Sequence, residues 1–479
     1  TVNTVRGVRL GNNVTNQIIS TGGITKTGLD TLVMQGNNTY TGVTTVSAGA
    51  ISIRNANALG AGANNTVVAD GAALFIVGSG FTIPEYITIN GTGIGANGAI
   101  WVPSSSGATT LSGIITTATA SRINNDGASL LTLGTAGFTN TGGITFGVNG
   151  TGGTTVTSVI SAAGGLTKDG TGTGKLILSG ANTYQGATLI NTGALQITDK
   201  DALGSVSAGG AGSSTTTITA GAALELNGAA AITVPEAIII NGDGVSGSPG
   251  AIRQISNSFA STLSGAITAN TGSISRINNV GTQLLTFQTG AFTNTGGVVF
   301  GTTTTGGITV NSAISGVGTL TKDGAGTGRL ILGGTNLYTG LTTISAGVVQ
   351  LTNSDGLGSS PAGTGSSNTI VNDGTALEIN AGITVPETLN IYGLGFVETT
   401  ANGAIRMISA TSAAISGPIN ILSASRINNT AAGILTFQTG AFTNSNGVTF
   451  GITSTGNITV NSIISGAGSL TKDGTAAGR

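Results

Sequence analysis

"LTKDGAGTGRLILGGTNLY" occupies Leu320–Tyr338. Nearly the same words, "LTKDGTGTGKLILSGANTY", occupy Leu166–Tyr184, and a version two residues shorter, "ITKTGLDTLVMQGNNTY", occupies Ile24–Tyr40. A fourth, "LTKDGTAAGR", opens at Leu470 and reaches Arg479. Inside each phrase, short apolar stretches such as "KLILSG" alternate with Gly, Asn, Asp, Thr and Ser. Alternation at period two argues for strands with one face buried. The Gly and Asn punctuation supplies residues able to take positive φ at turns. No segment carries a helical period of useful length.

Other markers recur in the same order. The Lys of "LTK" or "ITK" falls at Lys26, Lys168, Lys322 and Lys472, spaced by 142, 154 and 150. The Pro of "IPE" or "VPE" falls at Pro84, Pro235 and Pro386, and the Arg of "SRINN" at Arg122, Arg276 and Arg426. The phrase "FTN" has its Phe at Phe138, Phe292 and Phe442. Three large copies follow: 22–163, 164–316 and 317–466. Residues 1–21 read as the end of an earlier copy and 467–479 as the start of a further one. The chain is therefore expected to be a window on a longer array.

Composition narrows the rest. Charged residues make up 7%, the formal net charge is −1, and hydrophobic residues make up 38%, which is the composition of a folded chain. The 16 Lys and Arg are scattered, so no nucleic acid is expected as a partner. No apolar run is long enough for a membrane-spanning helix. With His 0 and Cys 0, a Ser-His or Cys-His nucleophile is excluded within this segment, and so are disulfides and thiolate metal sites. No cofactor is expected, and calcium at the Lys-Asp-Gly corner is disfavoured because the Asp recurs once per copy. Aromatic content of 4% suits a narrow core of stacked aliphatic residues.

Such a chain fits an all-β fold, a β-solenoid with a superrepeat of about 150 residues. At roughly 20–25 residues per turn, each copy makes about six or seven turns. The competing architecture is an array of β-sandwich domains. No Pro- or Ser-rich linker separates the copies, and "ITVNSAISGVGTLTKDG" reads as strand and turn straight through a junction, which favours the solenoid.

The stretch "GGLTKDGTGTGKLILSGANTYQGATLINTGALQI", residues 164–197, strongly resembles the autotransporter-associated β-strand repeat. A Gly-rich lead, Thr-Lys, a Gly turn, a Leu-x-Leu strand, an Asn-x-Tyr-x-Gly turn and a Thr-x-Ile strand follow in the family's order. They recur at 317–351. The copy at Ile24–Tyr40 departs in its length and in having Thr27 where the others have Asp. The resemblance implies a passenger region of a very large, secreted or surface-displayed bacterial protein with a right-handed parallel β-helix. It also implies a stalk, with other activity elsewhere on the chain.

Candidate contacts are few. Lys168-Asp169 and Lys322-Asp323 form the most repeated charged corner. An Asp-Gly turn with a solvated Lys is the plain expectation. Arg122, Arg276 and Arg426 are expected to lay their stems on apolar surface and hydrogen-bond neighbouring turns, with the following Asn pairs stacking into a ladder that satisfies turn amides and a carbohydrate groove as the other reading. Tyr40, Tyr184 and Tyr338 are expected to cap the small core, with an exposed sugar platform as the other reading. Trp101 stands where the other copies have Arg253 and Arg406, and Phe75 where they have Glu225 and Glu378. Such exchanges point outward. Asp199 and Asp201 are the closest acidic pair and have no supporting surroundings. Thr-rich phrases at 214–220 and 302–310 invite a ligand-binding surface, ice included, but their spacing argues against a continuous Thr array.

The expected function is a non-catalytic rod or fibre segment at the bacterial outer surface. It would act as stalk, adhesin scaffold or matrix filament and self-associate end to end or laterally. A cell-surface or polysaccharide ligand is the second expectation, and a polysaccharide-degrading β-helix enzyme the third.

Overall fold

The computed structural model describes residues 2–3, 8–10, 17–60, 65–134, 136–204, 215–288, 290–358, 368–398, 403–438 and 440–474. The expectation for 1–21 rests largely on residues outside this set, and the phrase ending at Arg479 leaves it at 475. The chain divides into two compact units, Thr1–Ala229 and Ala230–Arg479. Each is a parallel β-solenoid, not a set of sandwich domains. The one helical turn among the described residues is a 3-10 turn at Ile94–Ala96.

A typical turn holds three short strands. In the first unit Thr109–Leu111, Ile115–Thr117 and Ser121–Asn125 follow one another. Each then pairs in parallel with its successor one turn on, at Leu131–Leu133, Phe138–Asn140 and Ile144–Val148. Many strands have the pattern buried, half-exposed, buried, because alternate side chains point to opposite faces. The inward positions carry Ile, Leu, Val and Ala. Each later copy adds a ring cluster: Phe287, Phe292 and Phe300 lie 5.7–6.2 Å apart, and Phe437, Phe442 and Phe450 repeat it at 5.5–6.0 Å. The core is thus aliphatic along its length, with an aromatic plug that the low aromatic content had not suggested.

The copies do not contain a whole number of turns. In the first unit the strand Ile24–Thr27, stacked on Val2–Asn3, is followed in its sheet by Thr44–Val46, Asn65–Val68, Tyr86–Ile89, Ile115–Thr117, Phe138–Asn140 and Ile160–Ser161. That is six turns. The equivalent strand of the next copy, Leu166–Asp169, does not extend this stack. It extends the neighbouring one, above Ser121–Asn125 and Ile144–Val148. The second unit repeats the step. The stack from Leu320–Asp323 ends its sixth turn at Ile464–Ser465, and Leu470–Asp473 adds to the stack of Leu330–Leu332. One copy is therefore six turns and one strand, or roughly 30 Å of stacking at ~4.8 Å per turn. Within each unit the later copy starts one sheet further round than the one before it.

Candidate functional site

The Lys-Asp-Gly corner splits across the strand. In Leu166–Asp169, Leu166 and Lys168 point in, while Thr167 and Asp169 point out. Lys168 and Lys322 are 0% exposed, so neither is the solvated charge expected, nor a surface contact. Lys26 is equally enclosed. Their ammonium groups donate to turn carbonyls. Lys168 Nζ reaches Asp169 O at 2.9 Å and Thr192 O at 3.0 Å. Lys322 Nζ reaches Asp323 O at 2.6 Å and Thr302 Oγ1 at 2.9 Å. Lys26 Nζ reaches Gly28 O at 2.7 Å, Thr27 O at 2.9 Å and Ala48 O at 3.0 Å. A buried cation must find acceptors, and the tight turn brings its carbonyls within reach of the ammonium groups. Burial pushes both Lys168 and Lys322 down to about 8.

The Asp faces outward and meets an Arg that sequence reading had kept separate. Arg122 pairs with Asp169 at 3.0 Å, Arg276 with Asp323 at 2.6 Å and Arg426 with Asp473 at 2.6 Å. The partners sit two turns apart, so each Arg must cross an intervening strand. A glycine lies at the crossing. A Cβ on Gly147 would stand 2.4 Å from Arg122 Nη2, and one on Gly451 would stand 2.2 Å from Arg426 Nη2. Burial opposes ionisation of Asp169, but the Arg122 hydrogen bond and the Gly170 N–H outweigh it and hold the carboxyl below its ordinary value.

The second Asn of "SRINN" turns inward. Asn125 Nδ2 donates to Ser129 O and Gly153 O at 3.0 and 2.6 Å, and its Oδ1 accepts from Gly127 N–H at 3.0 Å. Asn279 and Asn429 do the same in their copies. These amides satisfy turn groups, as expected. They do not form an Asn ladder, because Val148, Thr302 and Ile452 occupy the next rung.

The tyrosines are interior. Tyr40, Tyr184 and Tyr338 are buried, with hydroxyls 2.5–2.6 Å from Thr44, Thr188 and Thr342. They fill the core and offer no sugar platform. Burial raises Tyr40 to about 12. Each copy also buries the Glu of its "PE" pair: Glu85, Glu236 and Glu387. Thr66 Oγ1 donates to Glu85 Oε1 at 2.9 Å. Burial pushes both Glu85 and Glu387 up to about 8. In the sequence this motif stands out only as a spacing marker. Its signal was an acid at one fixed place in every copy of a chain with 17 acids.

Outward side chains form rows one residue wide. In the second unit Gln350, Glu378, Arg406 and Asn428 stand on successive rungs. Arg406 pairs with Glu378 at 2.6 Å, and Arg329 clamps Glu378 at 2.7 and 3.0 Å while reaching Glu398 at 2.8 Å. Glu225 of the first unit is covered likewise by Lys175 at 2.6 Å. The corresponding row of the first copy is Ser52, Phe75, Trp101 and Asn124. The outward readings of Phe75, Trp101, Glu225 and Glu378 hold, with both Glu roofed over by cations. The Asp199–Asp201 pair is a turn in which Asp199 Oδ1 accepts from Asp201 N–H.

Continuous threonine ranks are present, contrary to expectation, and of the Thr-rich phrases only 302–310 contributes to them, through Thr309. Thr82, Thr110, Thr132 and Thr155 stand on four successive rungs of the first unit. Thr233, Thr262, Thr286 and Thr309 do so in the second. Strand centres 22–29 residues apart supply them.

Among the described residues no group of three or more His, Cys, Asp or Glu is arranged to hold a metal ion. No curated protein and no solved structure is significantly similar to the chain. The passenger-associated-transport-repeat family matches three times, at residues 24–53, 166–197 and 320–351. Each match spans the inward Lys, the inward Asn and Tyr, and the two strands that follow. The chain is a β-solenoid that carries three copies of the passenger-associated-transport-repeat, the repeat of autotransporter passengers.

Proposed function

We propose that the chain is a structural, non-catalytic rod or fibre segment of a large secreted or surface-displayed bacterial protein. It serves there as stalk, adhesin scaffold or matrix filament. One observation carries this reading. The repeated chemical side chains of the matched motif, Lys168, Asn182 and Tyr184 with their equivalents, are spent inside the core on turn carbonyls, turn amides and a threonine hydroxyl. Groups committed to holding turns in register build length and resist fraying. The passenger repeat supports export to the cell surface or beyond. Low charge and the outward rows of Thr, Ser and Asn favour self-association of such segments, side by side or end to end, because little electrostatic repulsion opposes it.

Electron microscopy of the native protein tests this reading. Unbranched filaments with a stacking repeat near 4.8 Å and a longer period near 30 Å are expected. Compact particles without either period would end it. Release of sugars from a panel of polysaccharides, abolished by substituting one acidic residue, would overturn the non-catalytic part.

A further inference from the structure

The same row of outward positions is filled in two ways. In the later copies charges close on each other: Lys175 with Glu225, and Arg329 and Arg406 with Glu378. In the first copy all three charges are absent together. Thr31 stands in the register of Lys175 and Arg329, Phe75 in that of the Glu, and Trp101 in that of the Arg. Phe75 and Trp101 lie on adjacent rungs with ring centroids 4.9 Å apart and planes at 89°. Both are half-buried on an outward face.

Polar groups frame the rings. Trp101 Nε1 donates to Asp126 Oδ2 at 2.6 Å. Asn124 Nδ2 and Asn149 Nδ2 donate to Asp126 Oδ1 at 2.7 and 2.8 Å. Arg122 Nη2 donates to Asn124 Oδ1 at 3.3 Å and Arg122 Nη1 pairs with Asp169. The carboxylate of Asp126 is thereby fixed beside the indole. A carboxylate has about four acceptor positions, so room remains for one further hydroxyl donor. Asn149 is exposed, and its Oδ1, which accepts from Thr171 N–H at 3.2 Å, keeps a second lone pair.

We propose that Phe75, Trp101, Asp126 and Asn149 form a binding site for a pyranose residue of a neutral oligosaccharide. The faces of aromatic rings carry negative quadrupole charge, and the C–H groups on one side of a pyranose are weakly positive and apolar. A sugar can lay that side on the rings and donate a hydroxyl to Asp126. Charge sets the class of sugar. One cation, Arg122, stands against two anions, Asp126 and Asp169, and the cation is already paired. An acidic glycan or a nucleic acid would meet repulsion there, whereas a neutral polyol meets fixed acceptors and amides. The site does not depend on the rod reading: filaments without sugar binding leave that reading intact.

Trp101 is the sole tryptophan of the chain, so its emission reports on this site directly. The 479-residue chain is titrated with cellohexaose, maltohexaose and chitohexaose, and with trigalacturonate as the acidic probe. At least one neutral hexaose should change Trp101 emission saturably, and trigalacturonate should bind more weakly. The double variant Phe75→Glu/Trp101→Arg installs residues that the later copies hold in this register. By calorimetry its affinity should fall by roughly tenfold or more, with the thermal midpoint unchanged. Asp126→Asn, which keeps an acceptor for the indole, is the second variant and should also weaken binding. The site is refuted if no neutral hexaose perturbs Trp101, if trigalacturonate binds more tightly, or if both variants bind like the native chain.

Discussion

The outward row of the first copy and that of the third occupy equivalent rungs and solve one packing problem differently. Ser52, Phe75 and Trp101 cover their face with rings; Gln350, Glu378 and Arg406 cover it with charge. The strands beneath are equivalent, with Leu74 and Leu377 buried below the variable residue in each. The backbone ladder and the inward stack therefore fix the fold, and the outward row is free to change chemistry. The change is concerted, because a lone Glu378 or Arg406 without its partner would be a buried unpaired charge.

The sharpest way to break this comparison is to remove one member of the charged row. Glu378→Ala leaves Arg329 and buried Arg406 sharing Glu398, and should cost about 3–5 kcal/mol. Chemical denaturation followed by circular dichroism measures it. Phe75→Ala, at the same rung of the first copy, should cost clearly less, since the ring is half-exposed and strands no charge.

Next comes pH. Glu85 and Glu387 have folded values near 8 against 4.5 for the free group, so the unfolded chain loses their protons first. Stability is fullest below pH 4.5 for these groups and falls as pH rises to 8. The loss is on the order of a few kcal/mol per carboxyl. Lys168 and Lys322, near 8 against 10.5, act oppositely. Between pH 8 and 10.5 the folded chain sheds a proton that the unfolded chain keeps, and stability recovers. A thermal midpoint with a minimum near pH 8 is expected, and Glu85→Gln should make it shallower. A midpoint that stays level from pH 5 to 8 would show that these carboxyls ionise as freely in the fold as in the unfolded chain.

A smaller effect is expected at the crossing glycine. Gly451→Ala places a methyl 2.2 Å from Arg426 Nη2 and should separate Arg426 from Asp473, at about 1–2 kcal/mol. Double-mutant cycles with Asp473→Asn should show the coupling vanish in the Ala background. Smallest of all should be the exchange itself. Arg329→Thr/Glu378→Phe/Arg406→Trp, which writes the first copy's row into the third, should change stability by no more than about 1.5 kcal/mol, because apolar residues of suitable size can replace a buried ion pair. Loss of cooperative unfolding in this triple variant would show that the two rows are not interchangeable.

Much of this was legible in the residues. The alternation in "KLILSG", the Gly and Asn punctuation and the absence of linkers gave the solenoid, and the Phe75/Glu225 and Trp101/Arg253 exchanges gave the outward face. The inward lysines were legible too, had alternation been applied to charge: Lys168 is two residues from Leu166 and must share its side. The expectation of a solvated Lys rested on residue type where position decides. The Arg–Asp pairs and the threonine ranks were not legible. Arg122 and Asp169 are 47 residues apart, and no local pattern shows that two turns of unequal length place them together. The same holds for Thr82 and Thr110, where the turn length of 28 must be known before the rank appears.

The extra strand at the end of each copy has a genetic consequence. Were a copy six whole turns, duplicating it would lengthen the array and leave every later side chain facing as before. With one strand more, a duplication or deletion also swings all downstream decoration onto the next sheet. Unequal recombination between such similar copies would then re-aim, in one event, whatever the distal part of the protein displays.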